Sequence, residues 1–290
     1  MELNSFWYIY ATNGADGFLL DLIKRPAEAV ARLALYSNGR PPTILREKVA
    51  LDQFAADSGS LNVKLGPLSL GPNGCRGKLG QIDLDLVSTL DNGNITFLPR
   101  WLHGLLSYVP IFSSHYGTLL EGKCQETQYK NLPLVYSTYE VGDIARSKWF
   151  IISAAQFEDS DLSFEISASR IAGIWGASAY VRLQGREYKL NSPLASLFTF
   201  RTRSAGEVAG QDRVFDVSIR SPLIRMDVRA KAPVGDFAVL EKEGRTEIHT
   251  TLFGDCEAEV TLRGSDANAA THRYQARRTC LLEVKNEPQQ

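Results

Sequence analysis

Short runs of β-branched and aromatic residues recur along this chain, each cut off by turn-forming residues. Examples are Phe6 to Thr12, Gln81 to Thr89, Trp149 to Phe157 and Val214 to Ile219. Such runs are too brief for ordinary helices and suit strands. Between Ile82 and Val87, Ile82, Leu84 and Leu86 alternate with Asp83, Asp85 and Val87, so this segment reads as a strand with two different faces. Turn signals at Asn13-Gly14, Asn38-Gly39, Asp91-Asn92-Gly93 and Glu243-Gly244 come at intervals suited to antiparallel meanders. The sequence therefore predicts an all-β protein joined by hairpins rather than βαβ units.

Two stretches are ambiguous. Pro26 to Tyr36 combines good helix formers with a first-turn proline, yet Ala29, Ala31, Leu33 and Leu35 alternate, which favours a strand. Arg100 to Tyr108 follows a proline and spaces Trp101, Leu102, Leu105 and Leu106 as a short helix or lid loop would. The polar, proline-containing stretch from Gln125 to Arg146 reads as a crossover. It places a division near Val135, into units of residues 1–135 and 136–290, and 290 residues suffice for two such cores. No internal sequence repeat is visible.

Lys plus Arg (32) balances Asp plus Glu (33) without long blocks of either sign, which argues against nucleic acid as a partner. The first residues carry no basic leader, and the apolar run Phe6 to Ala11 is too short for a membrane span. The expectation is a cytoplasmic protein without stable membrane insertion. Cys75, Cys124, Cys256 and Cys280 are widely spaced and read as buried free thiols. A Cys256–Cys280 disulfide stays open if their strands are neighbours. With four histidines and no Walker loop, nucleophile elbow, dinucleotide fingerprint or His-Glu-x-x-His, no metal or other cofactor is expected.

Aromatic and histidine residues crowd the segment from Leu98 to Phe157. Its pieces are Trp101-Leu-His-Gly-Leu-Leu-Ser-Tyr-Val-Pro-Ile-Phe-Ser-Ser-His-Tyr116, then Tyr136, then Lys148-Trp-Phe-Ile-Ile-Ser-Ala-Ala-Gln-Phe157. This ordered set resembles the tocopherol cyclase-like proteins, which share a two-part lipocalin-like β architecture with carotenoid hydratases and Diels-Alderase-like cyclases. Where the plant cyclases read Glu-Lys-Asn-Trp-Gly, this chain reads Thr138-Tyr139-Glu140-Val141-Gly142, so the resemblance carries architecture further than substrate. It implies two lipocalin-like halves, antiparallel barrels or sandwiches with few short helices, and a ligand cavity in one half or between them.

It also implies a cofactor-independent cyclase or isomerase that closes a ring in a hydrophobic polyene, terpenoid or polyketide-derived molecule. Holding one folded conformation supplies much of the acceleration in such reactions. A Diels-Alder closure needs only one or two hydrogen-bond donors, for which His115, Tyr116 and Lys148 are candidates, whereas a proton-initiated closure needs an acid such as Asp85. On pattern alone, the alternating strand leaves Asp83 and Asp85 more naturally on a solvated outer face. Trp101, His103, Tyr139, Lys148, Trp149 and Trp175 are candidates for substrate binding, with plain core as the competing role for the aromatic ones. A carrier of a hydrophobic metabolite and an alkene hydratase are the alternatives.

Overall fold

The computed structural model describes residues 4–56, 62–91, 111–141, 148–171, 174–190, 200–243, 246–263 and 270–286. For 111–119 and 133–141 the description is one of backbone register. The segment 92–110, with the expected helix or lid at 100–108, lies outside it. Strands dominate the described residues, and apart from one-turn 3-10 segments at Leu51–Gln53 and Val234–Asp236 there is no helix among them. No helix among them is long and apolar enough to cross a membrane.

The chain divides into two compact units, residues 1–144 and 145–290. The first contains β1 (Asn4–Thr12), β2 (Asp16–Lys24), β3 (Ala29–Ser37), β4 (Arg40–Val49), β5 (Phe54–Ala56), β6 (Val63–Leu65), β7 (Leu68–Gly71), β8 (Gly74–Leu79), β9 (Ile82–Asp91), β10 (Ile111–Cys124) and β11 (Thr127–Val141). They form one antiparallel sheet in the order β4-β3-β2-β1-β11-β10-β9-β8-β7-β6-β5. Pro26 to Tyr36 thus supplies β3, a strand, because its alternating alanines and leucines meet the pleat.

The stretch expected to be a crossover is instead the long strand β11. Val135 lies inside it, paired with Tyr10 on one side and Tyr116 on the other. Pro133 stands opposite Thr118 of β10, and among the described residues it has no ladder partner on the β1 side, where the pairing begins only at Val135.

The second unit contains β12 (Lys148–Ala154), β13 (Ser163–Ile171), β14 (Ile174–Leu183), β15 (Arg186–Leu190), β16 (Phe200–Ala209), β17 (Asp212–Arg220), β18 (Ile224–Pro233), β19 (Ala238–Glu243), β20 (Thr246–Leu262) and β21 (Thr271–Asn286). Its sheet runs β15-β14-β13-β12-β21-β20-β18-β17-β16, with β19 also paired to β20. The two units repeat one plan that no sequence repeat announces. Each opens with a four-strand meander and pairs its first strand with its last, β1 with β11 and β12 with β21.

Among the described residues no strand pairing closes either sheet into a barrel. Each sheet nevertheless folds over one apolar face. In the first unit Trp7, Ile9, Phe18, Leu20, Leu22 and Leu33 join Leu70, Cys75, Leu84, Leu86 and Tyr129 in one buried cluster. In the second, Phe150 packs on Trp175, Phe200 and Phe215 at centroid distances of 5.2, 6.4 and 5.8 Å, so strands far apart in the sheet order share a core. β8 lies so close to β9 that a Cβ on Gly74 would sit 1.8 Å from the Leu86 carbonyl oxygen, which only glycine, here at φ +128°, avoids.

Outside the second core, Asp227 accepts hydrogen bonds from both Arg220 Nη atoms (3.0 Å each), Ser218 Oγ (2.7 Å) and Arg225 Nε (3.2 Å). Its partial burial opposes ionisation, but Arg220 and Ser218 outweigh it and hold the carboxyl below its ordinary value of 3.8. A depressed carboxyl stabilises the fold above its unfolded pKa, and that contribution disappears as pH falls through the folded value. Thermal scans between about pH 5 and pH 2 should therefore show a shallower acid decline for Asp227→Asn than for the parent. Parallel curves would refute this.

Candidate functional site

Alternation along β12, β13 and β14 sends Phe150, Ile152, Phe164, Ile166, Ala177, Ala179 and Val181 into the core of the second unit. The residues between them form a second face, and that face is buried as well. Its lateral rows follow the strand register. One row is Leu281, Ser153, Glu165 and Tyr180; the next is Thr250, Glu283, Ile151, Ser167 and Ser178; a third is Ile248, Lys285, Trp149 and Ser169. Glu165, Tyr180 and Lys285 have no exposed surface, and Ser153, Ser167, Ser169, Ser178 and Thr250 are buried with them. Thr250 Oγ1 donates to Glu283 Oε2 at 2.5 Å.

A carboxyl, a lysine and a phenol all fully buried together are unusual, since burying each costs on the order of several kcal/mol unless the surroundings compensate. Here they sit on a sheet face rich in hydroxyls. From the Trp149 row to the Glu165 row is four residues along β12, about 13 Å. The face thus offers an aromatic ring and a lysine at one end and a carboxyl and a phenol at the other, with hydroxyls between.

The first unit also buries the second face of its leading strands: Tyr8, Tyr10, Leu19, Ile23, Ala34 and Tyr36, with Asp21 and Arg32 among them. Arg32 Nε and Nη2 both lie 2.7 Å from Asp21 Oδ2. The two charges of this buried pair compensate each other.

The residues singled out from sequence fall into several places. His115 occupies the row of Tyr136, Ile9, Leu20 and Leu33, three of which, Ile9, Leu20 and Leu33, are in the first core. Tyr116 occupies the row of Val135, Tyr10, Leu19 and Ala34, and Tyr139 that of Phe112, Phe6 and Ile23; both rows belong to the second face of the first unit. Half-buried Trp149 stands on the second face of the second unit. Trp175 packs against Phe150 at the margin of the core, and half-buried Lys148 is paired in register with Arg170. Trp101 and His103 lie outside the described residues.

Asp85 does not point into an apolar interior. It is exposed and accepts a hydrogen bond from Arg76 Nε at 3.1 Å, because the buried positions of β9 are taken by Leu84 and Leu86. Asp83 is likewise exposed, beside Lys78 at 3.4 Å. Arg76 also lines an open trough of about 710 Å³ over β5 to β9, so this region is a wetted surface. A proton-donating role for Asp85 has no support in this placement.

Glu165 carried a signal that period-two reading misassigns. In Ser163-Phe-Glu-Ile-Ser-Ala-Ser-Arg170 the polar residues alternate as on a solvated strand. Asp21 was more conspicuous, a single charge inside Phe18-Leu-Leu-Asp-Leu-Ile23, where both faces are otherwise apolar. Among the described residues no group of three or more His, Cys, Asp or Glu is arranged to hold a metal ion.

No protein-family model matches the chain, and no curated protein matches it. Among solved structures, kievitone hydratase from Nectria haematococca is similar at 8% identity and a TM-score of 0.49, over 97% of this chain and 88% of that one. A protein of unknown function from the DUF3598 family, from Nostoc punctiforme, shows 9% identity and a TM-score of 0.13 over 98% and 95%. At such values neither likeness assigns a reaction to this chain.

Proposed function

We propose that the protein is a cofactor-independent cyclase or isomerase that closes a ring in a hydrophobic, unsaturated small molecule, with Glu165 as its proton donor. The observation that carries this reading is the fully buried Glu165 carboxyl set between Ser153 and Tyr180 on a hydroxyl-rich face. A carboxyl group shielded from bulk water on a substrate-facing sheet surface is one way an enzyme positions an acid. Transfer of its proton to an alkene carbon leaves a cation that ring closure relocates. The electron-rich face of Trp149, about 13 Å away along the strand, suits a cation at the far end of an extended substrate. Loss of a second proton after closure completes an isomerisation with no change in mass. Tyr116 and Tyr139, in rows of the same face of the first unit, remain the proposed residues for a concerted closure that needs only orientation and hydrogen bonding.

The deciding experiment is deletion of the encoding gene in the native producer, followed by incubation of the accumulated compound with purified protein. The expected result is conversion to a product of identical mass. A product heavier by one water would replace cyclisation by hydration, and recovery of the compound unaltered would overturn the enzymatic reading in favour of a carrier.

A further inference from the structure

The four cysteines are all buried, and they form two unlike pairs. Cys75 on β8 and Cys124 on β10 have β9 between them, two strand spacings apart, on the order of 9–10 Å in a flat sheet and beyond the reach of a disulfide. Cys256 and Cys280 stand on β20 and β21, which are direct neighbours. Cys256 is opposite Ala276 and Cys280 opposite Gly254, across an irregularity that fits four residue steps of β21 against two of β20 and draws the two cysteines towards each other. Both side chains belong to the same apolar core, where burial first and then the neighbouring Cys256 thiol push the Cys280 thiol up, and Cys280 Sγ donates to the Leu281 carbonyl oxygen at 3.6 Å.

We propose that Cys256 and Cys280 are a disulfide site, closed during folding by a low-molecular-weight disulfide such as oxidised glutathione. One cysteine thiolate attacks the reagent and releases one glutathione thiol. The second cysteine thiolate then displaces the other, forming the protein S–S bond. Two protein thiols lose two protons and two electrons, all recovered in two glutathione thiols. Closure belongs to folding rather than to the finished molecule, because burial pushes the Cys280 thiol well above its ordinary value and leaves little thiolate to react. The crosslink would join the strand that pairs with β12 to the strand that pairs with both β18 and β19.

The test is refolding of the full chain from denaturant in a glutathione redox buffer and, in parallel, under full reduction. In the oxidised sample we expect a mass lower by about 2 Da, two titratable thiols after denaturation instead of four, and a proteolytic peptide joining Cys256 to Cys280. Closing the loop between these residues should raise Tm by roughly 6–12 °C. Cys256→Ala should abolish the crosslink and Cys75→Ala should keep it. Should Cys256→Ala fail to fold, the peptide map of the parent protein decides alone. Four surviving thiols, or a bridge involving Cys75 or Cys124, would overturn the proposal whatever the protein's activity proves to be.

Discussion

Glu165→Gln should lower turnover by about 10²- to 10⁴-fold, the range that a positioned general acid supplies. The measurement is single-turnover kinetics beside a thermal scan, with a pH–rate profile for each protein. The parent should lose activity as pH rises through the value for its acid, and the variant should lack that limb. Full activity in a folded Glu165→Gln protein would remove the proton-initiated mechanism and leave a concerted closure. Asp85→Asn provides the contrast: an exposed carboxylate held by Arg76 should be replaceable at little cost to turnover.

Arg32→Met should destabilise the protein by about 3–5 kcal/mol, because it removes the guanidinium that clasps the Asp21 carboxylate inside the buried face it shares with Leu19 and Ile23. In thermal unfolding that corresponds to a fall of roughly 6–20 °C. Adding Asp21→Leu should recover most of the loss, since apolar residues of similar volume replace a buried ion pair nearly neutrally or better. The cycle separates the penalty of an uncompensated charge from the worth of the pair itself. A single-variant cost below about 1 kcal/mol, the scale of exposed pairs, would show that the carboxylate finds water or another partner once Arg32 is gone.

Strand content was readable from short range, because turn residues and period two act locally. The Asn13 side chain, accepting from the Ala15 and Asp16 backbone N–H groups, makes the first turn where Asn13-Gly14 announces it. β3 followed from its alternation alone. β11 did not, because a proline and several polar residues read as a linker unless one knows that its pairing with β1 begins only at Val135. The candidate site was less legible for a related reason. Period two separates the faces of a strand but does not say that both are covered, so Asp85 and Glu165 sit in similar local patterns and differ entirely in environment. Which serines, glutamates and lysines leave water is decided by packing between segments far apart in sequence.

The pairing of first strand with last has a consequence for how the chain is made. Asn4 lies opposite Val141, and Trp149 opposite Lys285, so each sheet has a vacancy at its middle until the last strand of its unit has been synthesised. During translation β1 to β4 and β12 to β15 leave the ribosome with one edge of their leading strand unpaired, an invitation to join a neighbouring chain instead. Each unit therefore completes its fold in a single late step, and slowing elongation within either unit should raise the yield of aggregate rather than of folded protein.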